Sequence, residues 1–240
     1  MRENEKGERI AKVIARSGLC SRRDAERWIE DGRVSVDGVV VSTPATLIYE
    51  GMRVFVDKKP LPRLENVRLW CYYKPSGLMT THYDPEGRPT VFDNLPQDMP
   101  RVISVGRLDQ LSEGLLLLTN DGEYARQLEL PSSKLMRTYR VQVFGSLDES
   151  QMDLVRSGIE VAGILYKPIK IKLLSYKGRR SWFEMVLQEG KNREIRNIME
   201  SFDLRVLKLI RESYGPFSLG DLYPGELYEI ENPQEYFPKR

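Results

Sequence analysis

The chain has 240 residues, of which 40% are hydrophobic and 30% are charged, so it carries enough apolar material for a folded core and is not a disordered chain. Two cysteines and one histidine exclude a disulfide framework, a four-cysteine metal site and histidine-rich zinc chemistry. The formal net charge of +2 is by itself weak evidence for a polyanionic partner.

Hydropathy along the chain gives no sign of a membrane protein. No stretch approaches the ~18 consecutive apolar residues that a membrane span needs. The segment from Met1 to Glu8 is charged where a secretion signal would be apolar. We therefore expect a cytoplasmic protein with no membrane contact.

The basic residues are concentrated in two regions. Residues 1 to 63 carry 13 Lys and Arg against 10 Asp and Glu, and residues 167 to 211 carry 12 against 5. Such regions suit the phosphates of a nucleic acid, but charge runs are more often ordinary solvated surfaces. The counts alone favour the second interpretation.

The first 63 residues predict a small module of two helices followed by short strands. Apolar residues at helical spacing predict a helix over residues 8–17, and a second helix begins at Ser21, where Asp24 completes a capping-box pattern. Asp37-Gly38 lies between valine-rich segments, which is typical of a tight hairpin. The charged segment Lys58–Arg63 contains two prolines and predicts a linker.

This linker divides the chain into predicted domains 1–63 and 64–240. The second domain mixes strands and helices without strict alternation, which predicts an α+β fold with a mixed sheet rather than a doubly wound parallel sheet. The strand-like segments are 69–73, 102–105, 115–119, 137–144, 169–174, 181–187 and 204–210. The helix-like segments are 123–130, 150–157 and 192–202.

The second helix carries an arginine-rich outer face. Arg23 and Arg27 lie one turn apart on the side opposite the apolar stripe, with Arg22 and Arg33 nearby. Guanidinium groups match phosphate oxygens, so this face is a candidate RNA contact. Neighbouring carboxylates also fit an ordinary solvated helix, and the pattern alone favours that interpretation.

Asp109 is the main candidate for chemistry. It lies in a glycine-bounded polar loop between two strongly apolar segments. A carboxylate at the edge of a core, kept ionised by Arg107 or by a distant arginine, is a usable nucleophile or cation stabiliser. A turn-capping role for Asp109 fits the pattern at least as well. The signatures of nucleotide hydrolysis, dinucleotide binding and zinc peptidases are absent.

The N-terminal module resembles a known RNA-binding domain. The run Ser17-Gly18-Leu19-Cys20-Ser21-Arg22-Arg23-Asp24-Ala25, followed by Gly32-Arg33-Val34-Ser35-Val36-Asp37-Gly38, is similar to the S4 domain. In that family the two-helix face and the strands after it bind structured RNA. The resemblance implies that the RNA-binding residues of this module are Arg22, Arg23, Arg27 and Arg33.

The second domain resembles the pseudouridine synthases, in the group that carries an S4 domain and acts on ribosomal RNA. The run Gly106-Arg107-Leu108-Asp109, with Ser112-Glu113-Gly114 and the apolar segment after it, is similar to their catalytic motif. Segments 73–77, 137–141 and 189–199 resemble further motifs in the same order. The resemblance spans residues 8–230.

This second resemblance implies a function and a set of site residues. The chain would isomerise a uridine of ribosomal RNA, in the large subunit, to pseudouridine, with no cofactor and no metal. Asp109 would be the catalytic aspartate, and Tyr139 would stack on the target base. Arg196 would pair with Asp109, and Arg107 would help hold the flipped nucleotide. The residues along the RNA path would be Lys74, Lys191, Asn192 and Arg193.

Other functions remain open at this point. The substrate could be a small-subunit uridine, or the chain could be a non-catalytic S4 protein of ribosome assembly. A third hypothesis is that the chain is a methyltransferase or a relative of the tRNA synthetases. The absence of a glycine-rich nucleotide fingerprint counts against it. No excess apolar stripe demands a partner subunit, so a monomer is expected.

Overall fold

The computed structural model of the chain describes residues 7–63 and 65–236. They form two compact units. The first contains the described residues up to Val67 together with Asp98–Ile103 and Asn120–Gly122, and the second contains the rest. The division predicted between residues 63 and 64 falls at Leu64, which lies outside the described residues, as do residues 1–6 and 237–240.

The helices and strands are short and numerous. The α-helices are α1 (Ile10–Arg16), α2 (Arg22–Glu30), α3 (Gly122–Glu129), α4 (Glu149–Ser157) and α5 (Glu194–Glu200). The strands are β1 (Glu8–Arg9), β2 (Val34–Val36), β3 (Val39–Val40), β4 (Leu47–Ile48), β5 (Val54–Val56), β6 (Lys59–Pro60), β7 (Leu69–Lys74), β8 (Ile103–Ser104), β9 (Glu113–Thr119), β10 (Arg137–Phe144), β11 (Ile159–Val161), β12 (Ile164–Tyr166), β13 (Lys170–Lys177), β14 (Arg180–Leu187), β15 (Arg205–Tyr214), β16 (Phe217–Ser218) and β17 (Leu227–Ile230). None of the helices in the described ranges has the length and apolarity needed to cross a bilayer.

The first unit has the two helices and the hairpin that its sequence predicts, but Glu8 and Arg9, the start of the predicted first helix, form β1 instead. Ser21 and Asp24 form a reciprocal capping box at the start of α2, which satisfies two backbone N–H groups that the helix itself cannot bond. Asp37 and Gly38 both have positive φ, 50° and 86°, and connect β2 to β3 as a tight hairpin. Apolar side chains of α1, α2, β2 and β5 form one buried core.

The predicted linker Lys58–Arg63 is partly wrong. Lys59 and Pro60 form β6, which pairs antiparallel with β5. Asp57 and Lys58 have positive φ and turn the chain back on itself. Proline is tolerated at Pro60 because β6 is an edge strand of the order β3-β2-β5-β6, where its missing N–H need not face a partner.

The second unit is organised around one mixed sheet, which confirms the predicted α+β fold. Among the described residues its main strands run in the order β13-β14-β10-β15-β9-β7-β17. Every neighbouring pair along this order is antiparallel except β15 and β9, which are parallel. This single parallel pair joins the strand after Asp109 to a strand almost one hundred residues later in the chain.

The strands β10, β13, β14 and β15 are covered on one face by α4 and α5. Alternate side chains of these strands point into a common core, as a half-buried sheet requires. From the helices, Met152 and Val155 of α4 and Ile195, Ile198 and Met199 of α5 fill the same core. The sheet therefore fixes the position of α5, on which Arg196 lies.

Three parts of the second unit differ from the sequence prediction. The edge strand β17 and the small hairpin of β11 and β12 were not predicted. The helix predicted over residues 192–202 is shorter, because Arg193 adopts a left-handed conformation with φ 50° and α5 starts only at Glu194.

Gly114 is essential to the parallel pair of β9 and β15. Its φ is +101°, and a Cβ at this position would lie 2.3 Å from the carbonyl oxygen of Arg211. We expect Gly114→Ala to lower the free energy of unfolding by roughly 3 kcal/mol or more, because the clash is with backbone and cannot be relieved by a rotamer change. Urea unfolding of the purified variant measures this loss.

The matched control is Gly225→Ala. Gly225 has a similar φ of +92°, but a Cβ there would meet no atom within 4 Å. This control carries the conformational strain without the clash and should cost roughly 1–2 kcal/mol. Equal losses in the two variants would contradict the role assigned to Gly114.

Candidate functional site

Asp109–Ser112 form a tight turn, here called the Asp109 turn, whose four carbonyl oxygens all accept hydrogen bonds. Within the turn, the Ser112 N–H donates to the carbonyl of Asp109 at 3.0 Å. From outside it, the Gly77 N–H donates to Gln110 O at 2.7 Å, and the Arg196 guanidinium donates to Leu111 O at 3.0 Å. Donors from three segments of the chain thus fix the backbone that carries Asp109.

Lys74 also donates hydrogen bonds to the Asp109 turn. Its side chain is fully buried, and its ammonium group donates to Gln110 O at 3.2 Å, to Ser112 O at 2.9 Å and to Pro75 O at 3.1 Å. Burial lowers the pKa of Lys74 to about 8, while the charges of Asp109 and Glu113 oppose that shift. The expectation that Lys74 lies on the RNA path is corrected, since it has no surface to offer an RNA strand.

Arg196 reaches the turn from α5. The residue is 9% exposed, and its charge is disfavoured by burial and by nearby Arg193, which lower its pKa, while Asp109 raises it. The predicted direct pairing is corrected: among the described residues no ion pair joins Arg196 to Asp109, and the guanidinium instead binds the backbone at Leu111. Arg196 therefore positions Asp109 through the turn and adds a nearby positive charge.

The Asp109 carboxylate itself is available for chemistry. It is half-buried, and it makes no hydrogen bond or ion pair with any other described residue, so it does not cap the turn. Leu108 is fixed by Thr80, whose hydroxyl donates to Leu108 O at 2.8 Å and accepts from Leu108 N at 3.4 Å. Arg107 on the other side is exposed. The backbone around Asp109 is thus fixed, while its carboxylate has no hydrogen-bond or ion-pair partner among the described residues.

The register of the sheet places Tyr139 on a row with this site. Tyr139 of β10 pairs with Arg211 of β15, Arg211 pairs with Gly114 of β9, and Gly114 pairs with Lys74 of β7. Adjacent strands are about 4.8 Å apart, so Tyr139 is about two strand spacings from Gly114, which follows the Asp109 turn. The Tyr139 ring packs against the core that includes α5 and is half-buried.

Arg211, which pairs with Gly114, is a buried basic residue that the sequence did not predict. It is 3% exposed, donates from Nε to Leu115 O at 2.7 Å and lies over the ring of Tyr214. One of its terminal nitrogens is buried without a partner among the described residues. A basic residue in a long strand gave no signal of burial, because such residues usually face solvent.

The segment before α5 presents a basic edge. Lys191, Asn192 and Arg193 are all exposed, as an RNA contact requires, although Lys191 is also bonded to Glu189 and to Leu165 O. Arg193 falls within the helix predicted over residues 192–202, but it precedes α5 and does not lie on it. Glu194 is buried and accepts from the Lys191 N–H at 3.0 Å, and burial raises its pKa to about 7.

In the first unit, the four predicted RNA-binding arginines are all exposed. Three of them are matched by carboxylates: Arg22 with Glu26, Arg27 with Asp24 and Arg33 with Asp57. Arg23 makes no ion pair within the described ranges. The acidic neighbours expected from the sequence are therefore in place, yet they leave these guanidiniums open to solvent.

No metal centre accompanies these residues. The described part of the chain contains no group of three or more His, Cys, Asp or Glu side chains that could hold a metal ion. Both cysteines, Cys20 and Cys71, are buried and unpaired with each other.

Comparisons with known proteins identify the relatives of both units. Residues 68–201 match the family described as RNA pseudouridylate synthase, and residues 8–54 match the S4 domain. An uncharacterized RNA pseudouridine synthase of Rickettsia bellii is 52% identical over 223 residues, which cover 93% of this chain and 96% of that protein.

A ribosomal large subunit pseudouridine synthase B of Pasteurella multocida is 42% identical over 219 residues, which cover 89% of this chain and 64% of that longer protein. The crystal structure of a pseudouridylate synthase superposes with a TM-score of 0.66 at 23% identity, covering 92% of this chain and 95% of that one. The similarity to this crystal structure is a similarity of fold.

The buried ammonium of Lys74 should be required for a rigid Asp109 turn. Lys74→Met leaves the carbonyls of Pro75 and Ser112 without this donor, while Gln110 O keeps the Gly77 N–H. Relief of the buried charge offsets part of the cost, so we expect a net loss of roughly 1–3 kcal/mol and faster hydrogen exchange at the Ser112 amide. Urea unfolding and amide exchange measure the two effects.

The control is Lys177→Met, since Lys177 is exposed and makes no ion pair within the described ranges. It should change stability by no more than about 0.5 kcal/mol. Unaltered exchange at Ser112 in Lys74→Met would show that the turn does not depend on this lysine.

Proposed function

The chain belongs to the RNA pseudouridylate synthase family and carries an S4 domain, and from this membership we propose that it isomerises a specific uridine of large-subunit ribosomal RNA to pseudouridine. The Asp109 turn carries this proposal, because it presents an unpartnered carboxylate on a backbone held by Lys74, Gly77 and Arg196. The reaction breaks the N1–C1′ bond, turns the uracil and joins C5 to C1′, while C5 loses its proton to solvent and N1 gains one.

The choice of ribosomal RNA is supported by the Pasteurella multocida relative, whose name states the large ribosomal subunit. That relative is longer than this chain, so its substrate is carried over as part of the proposal. A uridine of the small subunit is the alternative substrate. We propose that the enzyme acts as a monomer in the cytoplasm, where ribosomal RNA is available to it.

Reaction at a base inside folded RNA requires the nucleotide to leave its stack. Extrusion costs roughly a few kcal/mol, which stacking on an aromatic side chain partly offsets. Tyr139 is proposed for this contact because it lies on the sheet row that leads to Gly114, and Arg107 is proposed to hold the extruded nucleotide because its side chain is exposed beside Asp109.

Asp109 is proposed as the catalytic residue. Cleavage of a bond to C1′ places positive charge on the sugar ring, and an ionised carboxylate stabilises or traps that charge. The half-buried position of Asp109 strengthens this interaction because the local dielectric is lower than in water. Arg196 is a positioning residue, since it acts on Asp109 through the carbonyl of Leu111.

Asp109→Asn should fold and bind RNA but lose isomerisation, because the amide cannot carry the negative charge. We expect release of tritium from C5-labelled uridine in ribosomal RNA to fall by roughly 1,000-fold or more, comparable to removal of other essential catalytic groups. The control, Asp221→Asn, changes an exposed aspartate and should keep wild-type release. Substantial turnover by Asp109→Asn would reject the assignment.

The exposed arginines of α2 should contribute affinity rather than chemistry. Replacing Arg22, Arg23 and Arg27 together by alanine should weaken binding to ribosomal RNA and lower the slope of log K against log salt by up to about 0.7–0.9 per lost phosphate contact. The rate at saturating RNA should be unchanged. A filter-binding titration at several salt concentrations measures the slope, and an unaltered slope would exclude phosphate contacts by these arginines.

A further inference from the structure

Tyr83 is an exposed aromatic residue that the catalytic site does not use. At 78% exposure it is more exposed than any other large hydrophobic side chain in the described part of the chain. Single exposed aromatic residues are common and need no explanation. The surroundings of Tyr83 are what set it apart, because the loop that carries it is fixed on several sides.

The loop is closed at its base and clamped in its middle. The Met79 N–H donates to Pro89 O at 2.9 Å, and the Val91 N–H donates back to Met79 O at 2.8 Å. Within the loop, Asp84 accepts from the backbone N–H, Nε and a terminal nitrogen of Arg88 at 2.7–3.0 Å. These hydrogen bonds hold the loop between residues 79 and 91 in an ordered conformation.

Local contacts turn Tyr83 outward. The Thr81 hydroxyl donates to Tyr83 O at 2.8 Å and accepts from Tyr83 N at 3.3 Å, which fixes the backbone at this residue. The preceding residue, His82, stacks on Phe92, just after the loop, with ring centroids 3.5 Å apart. The ring of Tyr83 is thus left facing solvent on a backbone whose conformation is already set.

The same loop is joined to the catalytic turn. Thr80 exchanges two hydrogen bonds with Leu108, the residue before Asp109. Tyr83 follows Thr80 by three positions in the chain, so their Cα atoms lie within about 11 Å of each other. Thr80 thus connects the loop that carries Tyr83 to the backbone beside Asp109.

We propose that Tyr83 is a stacking platform for an unpaired base that flanks the target uridine. This inference rests on the proposed function and adds a specificity contact to it. Sequence-specific RNA recognition uses unstacked bases that lie on aromatic side chains, and a preorganised ring loses little entropy on binding. Tyr83 is a positioning residue in this scheme and takes no part in bond breaking.

The test compares Tyr83→Ala, Tyr83→Phe and the control Tyr223→Ala on a large-subunit ribosomal RNA transcript labelled at C5 of uridine. Tyr223 is a similarly exposed tyrosine, at 72%, outside the loop. We expect Tyr83→Ala to raise KM roughly 5- to 100-fold with kcat nearly unchanged, because stacking on an aromatic ring contributes to binding. Phenylalanine keeps the ring face and should restore KM, and urea melting verifies that all variants fold.

Three results would overturn the inference. Equal KM values for Tyr83→Ala and Tyr223→Ala would show that the ring meets no base. A defect of Tyr83→Phe as large as that of Tyr83→Ala would assign the contact to the hydroxyl group. A defect on assembled ribosomal particles but not on the naked transcript would assign it to a protein. Absence of tritium release by the wild-type chain would instead reject the proposed function itself.

Discussion

The candidate site depends on the hydrogen bonds that the carbonyl oxygens of residues 109–112 accept. The turn itself satisfies the carbonyl of Asp109, and each of its other three carbonyls would cost about 1–3 kcal/mol if buried without a donor. Here Lys74, Gly77 and Arg196 supply the missing donors from segments as far as 87 residues away from Asp109. The acid keeps its position because its own backbone is held, and its carboxylate needs no protein partner.

This arrangement uses buried cations, which are costly elements of a fold. Lys74 and Arg196 both lose hydration, and burial lowers the pKa of each. Apolar residues of similar size would avoid that cost but could not bind the carbonyls. The cations also stand near Asp109, so the same groups that fix the turn balance its negative charge. The fold is thus less stable than one with apolar residues at these positions, but it holds Asp109 in a fixed, partly buried position.

The sequence predicted the parts of this fold that depend on local patterns. The capping box at Ser21, the hairpin at Asp37 and the long strands β10 and β14 follow from caps, turns and alternation over a few residues. It could not predict the burial of Lys74, because burial depends on which carbonyls another segment leaves open.

Long-range geometry accounts for the remaining differences. Arg196 was expected to meet the Asp109 carboxylate, and it binds the backbone two residues later instead. Family resemblance supplied the residue identities at the site, whereas the contacts between them needed the structure. The edge strand β17 was missed because a four-residue strand gains its stability from β7, which is far away in the chain.

The parallel pairing of β9 with β15 also sets an order of events during synthesis. Asp109 emerges from the ribosome about one hundred residues before Arg211, which must lie beside Gly114 to complete the sheet. At roughly 5–20 residues per second this interval lasts about 5–20 s. Arg196, which donates to Leu111 O of the Asp109 turn, emerges only in the last part of this interval. A chain that ends before β15 therefore lacks the strand that pairs with Gly114, and the sheet beside the Asp109 turn stays incomplete.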